Sequence, residues 1–401
     1  MAADTPAVVL GAGLNGLGVA RSLARARIPV WLLDSDERRA EMHTRAAKPL
    51  KIGALHGDAL VEELVCLGTT RFAGVRPILL LTQEESVKTV SQHRERLLAH
   101  YRFSLPSTEI VEALQHKHGF QRLAEQHNAP IPALVHVQSP ADLFALESLR
   151  YPVVIKPGER HAEYGRQFKK AYCVENAAEA NELVRRILPV MSDVVAQEWI
   201  EGPDSNIYFC LQCLDRQRRV VVSFTGRKVR SWPPHVGGTA SCMPAPEAHA
   251  KLSDLTTRFF QSVDMVGMAG MEYKRDSRSG EFRMVEPTIG RTDYQAEIAT
   301  LNGVNLPYAA YCTELGTPFP DSTQAKRRLA WRVRSEDEQS AAAQNMPSGK
   351  GFDGASGVCD ALWRRNDPMP YLVQNLQRIG RALHARTARM KPGSQMLRSK
   401  P

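Results

Sequence analysis

The stretch GMEYKRDSRSGEFRMVEPTIGR, Gly270 to Arg291, carries Glu272 before and Glu286 after a turn sequence, Ser277-Arg278-Ser279-Gly280. The flanking residues read as two strands. A hairpin centred near Ser279 sets Glu272 opposite Glu286 on one face. Like charges directly across a strand pair destabilise it unless something positive sits between them. Paired hard oxygen ligands suit Mg²⁺, which completes its shell with waters and nucleotide phosphates. The alternative is a surface salt bridge from one carboxylate to Lys274 or Arg283. Thr288 and Arg291 follow in the same run.

Upstream lie residues suited to nucleotide phosphates. Lys156 ends the apolar strand YPVVIKP, where a buried ammonium needs an anionic partner. The polar loop after it, GERHAEYGRQFKKAY, holds Gly158, Gly165, Lys169 and Lys170, and its glycines and cations suit a cover over phosphates. In VVAQEWIEGPDS a strand runs through Gln197-Glu198 into a short connector. Such a connector presents backbone N–H and C=O groups to an adenine edge, and Asp204 is then placed for a ribose hydroxyl.

Three other motifs compete for attention. GAGLNG, Gly11 to Gly16, fits G-x-G-x-x-G between a strand and a helix, and Asp34 ends the next strand. Together these read as a dinucleotide fingerprint and make an NAD-dependent oxidoreductase the competing function. The same glycines also serve a tight turn with no ligand, and no hydride-transfer partner follows. Cys210 and Cys213 form one C-x-x-C within a strand pattern, which sends the sulfurs to opposite faces and predicts packing. His116 and His118 look like a metal pair without a third ligand, so solvent is the expected surrounding.

The wider chain sets the frame. Its 401 residues allow two or three domains. Residues 6–112 alternate apolar strands with helices, the pattern of a parallel sheet covered on both faces. From 113 to about 317 the pattern becomes α+β with antiparallel strands, and the last 80 residues read as loops before a final helix. No run approaches the roughly 20 apolar residues of a membrane span. The N-terminus enters a strand without a charged leader region, and seven scattered cysteines suit reduced thiols, so a cytoplasmic protein is expected. From Asp321 onward 15 Lys/Arg face 7 Asp/Glu, within a net charge of +9. These cations alternate with apolar residues, the pattern of a solvated amphipathic helix rather than a nucleic-acid arm.

Taken in order, these runs resemble an ATP-grasp ligase over nearly all of the chain, most of all the carboxylate–amine ligase-like branch that includes D-aspartate ligases. The resemblance implies a Rossmann-like pre-ATP-grasp domain at 1–112 that often binds no dinucleotide. It further implies an ATP-grasp domain at 113–317, with a lid at about 130–200, and a basic C-terminal extension at 318–401. HKHGFQRLAEQHNAPIP is similar to the family's first helix of the nucleotide domain, with Lys117 at the phosphates. Lys156 takes the place of the second nucleotide lysine and Lys170 lies in the covering loop. Gln197, Glu198, Trp199 and Ile200 correspond to the adenine hinge, with Asp204 near the ribose.

GRKVRSWPPHVGGTAS resembles the segment facing the acceptor substrate. It makes Lys228 and Arg230 candidates for holding a carboxylate or stabilising an acyl phosphate. Glu272 and Glu286 match the metal ligands, and Arg291 faces the transferred phosphoryl group. Thr288 stands where the family usually has asparagine, a better oxygen ligand for a second Mg²⁺. The implied activity is ATP-dependent amide formation through an acyl phosphate. ATP and Mg²⁺ are the cofactors, and a small-molecule carboxylate and amine are the substrates. Neither nucleic acid nor membrane is an expected partner, and a homodimer is the default assembly. A third reading is a degenerate ATP-grasp protein that binds nucleotide without turnover.

Overall fold

The computed structural model describes residues 5–158, 162–169, 171–235, 237–320, 328–347 and 349–390, without side chains at 162 and 382–390. Lys170 lies outside the described residues.

The first sheet is parallel: β1 (Ala7–Leu10), β2 (Val30–Asp34), β3 (Lys48–Lys51) and β4 (Ile78–Leu81), in the order β3-β2-β1-β4. Strands β1 and β4 read AVVL and ILLL and are buried throughout, because both faces are covered. Side-chain alternation divides them between two cores. Ala7, Val9, Ile78 and Leu80 face one, and Val8, Leu10, Leu79 and Leu81 face the other.

The second sheet is antiparallel: β5 (Leu134–Val137), β6 (Val153–Pro157), β7 (Tyr172–Val174) and β8 (Val194–Glu198), in the order β5-β8-β6-β7. It packs its own core with the helix Ala177–Ile187. Between β6 and β7 the expected glycine- and cation-bearing hairpin contains a short helix, Ala162–Gln167.

The third sheet holds seven strands. These are β9 (Ile207–Leu214), β10 (Val220–Trp232), β11 (Gly238–Pro244), β12 (Gly267–Arg275), β13 (Phe282–Ile289), β14 (Leu329–Arg332) and β15 (Gly357–Asp360), ordered β13-β12-β9-β10-β11-β14-β15. All pairs are antiparallel except β14–β15. On β9 Cys210 and Cys213 enter different cores, as strand alternation requires of an i, i+3 pair.

The C-terminal 80 residues correct the loop-rich expectation. Both β14 and β15 extend the large sheet, and Trp331 on β14 is buried in the core that also holds β1 residues. Their sequences, LAWR and GVCD, lack the continuous apolar run that marks β1 and β4. Ion pairing fastens the region further: Arg21 Nε lies 2.9 Å from Asp367, which also accepts from the Thr44 hydroxyl and the Arg45 N–H. The final helix, Met369–Met390, rests on Ala40–His43 and leaves Leu376 and Ile379 exposed. Among the described residues no helix is long and apolar enough to cross a membrane.

Candidate active site

Strand β13 meets β12 with Glu286 directly opposite Glu272. The ladder slips by one residue just beyond this pair, where Tyr273 faces Met284 and Val285 is the extra residue. A bulge of this kind re-aims the side chains that follow it. Phe282 and Met284 accordingly point into the core beneath, together with Tyr273, while Glu286 and Thr288 turn to the opposite face. The strand therefore switches from packing to chemistry at one residue.

Glu286 and Thr288 open into a cleft between the second and third sheets. Lys117, Lys156, Gln197, Glu286, Thr288 and Arg291 all line it. Lys117 begins the helix Lys117–Gln126, and Lys156 comes from β6 and Gln197 from β8. The Lys156 ammonium donates to Gln197 Oε1 at 2.5 Å. Burial pushes its pKa down to about 8, with Lys117 adding to the shift and Glu286 opposing it. The Glu286 carboxyl is raised above its ordinary value, first by desolvation and then by Glu272. Its side chain is solvent-exposed at the cleft wall, and that exposure tempers the rise.

Thr288 and Arg291 share a partner. Thr288 Oγ1 donates to Asp293 Oδ2 at 3.0 Å, and Arg291 Nη1 donates to Asp293 Oδ1 at 2.8 Å. The chain here is braced from the first sheet. Arg291 bridges to Leu81, and Asn15 exchanges hydrogen bonds with Thr292 while donating to the Thr82 carbonyl. Glu84, just past β4, lines the same cleft and was missed in the sequence, since an acidic first helical turn is the ordinary reading there.

Lys228 reaches across β9 to Glu272, with Nζ 2.8 Å from Oε2. It thus supplies a positive charge to one member of the glutamate pair. Lys274, the partner weighed from sequence, instead donates to the Gly202 and Pro203 carbonyls.

Other expected residues lie elsewhere. Arg230 is 1% exposed and does not line the cleft; its Nε donates to Asp337 at 2.7 Å and its Nη1 to the Lys350 carbonyl. Asp204 is buried and accepts the N–H groups of Ser231 and His235 at 3.0 and 3.1 Å, so it secures the end of β10 rather than facing a ribose. Glu198 ends β8 and Trp199 and Ile200 follow it, all three outside the cleft lining. The Glu198 and Trp199 N–H groups donate to the Ala133 and Pro152 carbonyls.

The dinucleotide fingerprint has a packing explanation. Asp34 is fully buried; it accepts Ala12 N–H at 2.7 Å and Asp36 N–H at 3.0 Å, and lies 3.2 Å from Arg39 Nε. Both oxygens have protein partners and the carboxylate is closed off from solvent. Gly11 has φ +94°, and a Cβ there would meet Thr82 Oγ1 at 2.5 Å, so glycine is required by the fold itself. The NAD reading is set aside on these contacts.

No protein-family model matches the chain. It is similar to the D-aspartate ligase of Enterococcus faecium (strain Aus0004), with 24% identity over 338 residues, 79% of this chain and 78% of that one. Among solved structures it resembles the ADP complex of PurK, N5-carboxyaminoimidazole ribonucleotide synthetase. There the TM-score is 0.62 and the identity 12%, with 85% of each chain covered. The biotin carboxylase domain of Hydrogenobacter thermophilus 2-oxoglutarate carboxylase, a dimer bound to MgADP, ADP and bicarbonate, gives a TM-score of 0.61. Its identity is 13%, with 81% of this chain and 73% of that one covered. The chain thus shares the fold of these two ADP-bound structures, and in sequence it resembles the D-aspartate ligase.

Proposed function

We propose that this chain is an ATP-dependent ligase that joins a small carboxylate to an amine. The observation that supports the reading is the convergence of Lys117, Lys156, Glu286 and Arg291 on one cleft, with Glu272 directly opposite Glu286 on the neighbouring strand. On this reading residues 1–112 are a Rossmann-like pre-ATP-grasp domain and 113–317 the nucleotide domain, with a lid at about 130–200.

The substrate carboxylate attacks the γ-phosphorus of ATP and breaks its bond to the β-bridging oxygen, which leaves with ADP. The amine then attacks the acyl phosphate carbonyl, phosphate departs, and the amine proton passes to solvent. Lys117 and Lys156 hold the phosphates, and Arg291, oriented by Asp293, offsets charge on the transferred group. Glu272 and Glu286 are opposed oxygen donors that fit Mg²⁺, with the Thr288 hydroxyl beside them. When bound, that ion neutralises phosphate charge.

The test is ADP release with Mg²⁺ against pools of amino acids and small carboxylic acids. Release that requires one acid and one amine supports a ligase. Tight ATP binding with no turnover in any pool would overturn it in favour of a binding protein, unless Thr288→Asn restores activity.

Lys156 yields a pH prediction. Its charge is present below about pH 8 and lost above it. ADP affinity should therefore fall about tenfold as pH rises through that value, the equivalent of one charge-assisted hydrogen bond of about 1.5 kcal/mol. Calorimetric titration on either side of that pH checks it. Lys156→Met should bind weakly at both, and a wild-type profile in that variant would exclude Lys156 as the cause.

A further inference from the structure

We propose that His118, His136 and Asp193 form a binding site for one divalent transition-metal ion, separate from the paired glutamates. The three side chains come from the helix Lys117–Gln126, from β5 and from the residue preceding β8. His118 Nε2 and His136 Nδ1 lie 3.4 and 3.3 Å from the same Asp193 Oδ1, and all three ligand atoms fall within 4.8 Å of one another. Ligands about 2.0–2.1 Å from a tetrahedral Zn²⁺ are separated by roughly 3.3 Å, which is the spacing of both nitrogen–oxygen pairs. Two imidazoles and one carboxylate select Zn²⁺, Ni²⁺ or Cu²⁺ over Mg²⁺.

The rings stack with centroids 3.5 Å apart and planes 15° from parallel. Parallel rings aim their lone pairs side by side, so one ring must turn to share an ion. His118 has the room: its side chain is 42% exposed and faces the cleft. Asp193 is placed by the glycine after β6. Gly158 N–H donates to the Asp193 carbonyl, and a Cβ at Gly158 would lie 1.8 Å from Asp193 Oδ2. Two histidines and one carboxylate fill three positions of a tetrahedral ion, and both histidines line the cleft.

The test is Zn²⁺ titration calorimetry on chelator-stripped full-length protein without nucleotide, paired with Co²⁺ absorption spectra. One site per chain is expected, with the strong visible bands of four-coordinate Co²⁺. His118→Ala/His136→Ala should weaken Zn²⁺ binding by about 100-fold or more, the upper end of what losing even an outer partner of a metal site costs. His116→Ala should leave binding unchanged. If the double variant does not fold, His118→Asn on the half-exposed side chain should give the same loss. Binding that survives removal of both histidines overturns the proposal. So does binding that disappears with Glu272→Gln/Glu286→Gln, which would put the ion on the glutamates. Because nucleotide is absent, the outcome does not depend on ligase activity.

Discussion

Glu286→Gln should reduce ADP release about 1000-fold or more while leaving the thermal midpoint unchanged or raised. The loss follows from removing one of two opposed oxygen donors, because a metal ion contributes several kcal/mol to stabilising charge in phosphoryl transfer. The effect on stability has the opposite sign. Desolvation and Glu272 raise the Glu286 carboxyl in the fold, so ionised Glu286 is disfavoured there relative to the unfolded chain. Its contribution is favourable only while it is protonated, at low pH, and is lost as pH rises through the raised value. At neutral pH the ionised side chain works against the fold, and a neutral glutamine of the same shape removes that penalty. Paired assays of ADP release and thermal unfolding separate the two effects. Turnover within about tenfold of wild type would overturn the metal-ligand role, since a lost donor costs several kcal/mol. A lower midpoint would instead make Glu286 a structural residue.

Asp337→Ala, which removes the helical carboxylate paired with Arg230 of the large sheet, should cost about 3–5 kcal/mol. Asp337 is 2% exposed and takes Arg230 Nε at 2.7 Å and the Ser241 hydroxyl at 2.5 Å, with Arg332 at 3.4 Å. Removing it leaves a guanidinium that is 1% exposed without its counter-charge, in a site where water cannot replace the lost partner. Replacing both members with apolar residues of similar volume, Arg230→Met/Asp337→Leu, should recover most of that loss. Urea unfolding measures both. A single variant within about 1 kcal/mol of wild type would contradict the buried-pair account. The double variant also decides what Arg230 does. Retained ligase activity assigns it to the fold, and lost activity in a stable protein returns it to the acceptor site.

Residues that the sequence made legible belong to local periods and turns. The hairpin around Ser279 could be placed because strand alternation and a four-residue turn leave few registers, and Glu272 does face Glu286. Lys156 stood out as a cation at the end of an apolar strand, and the Cys210–Cys213 spacing already excluded a shared face. What escaped was decided by contacts far apart in the chain. The bulge at Val285 depends on how β12 and β13 settle on their neighbours, and no period announces it. His118 looked solvated because its companions, His136 and Asp193, lie 18 and 75 residues away.

The same holds for Asp204 and Arg230, whose residue types suited a ribose and a substrate carboxylate. Each is instead taken by a partner from another part of the chain: the Ser231 and His235 amides in one case and Asp337 in the other. Sequence alone determined the hairpin, the opposed glutamates and the cleft lysines, since these rest on side-chain pattern within a few residues. Only the tertiary structure decided which charged groups remain open to a ligand, because a buried charge is satisfied by whichever partner the packing of distant segments brings within reach.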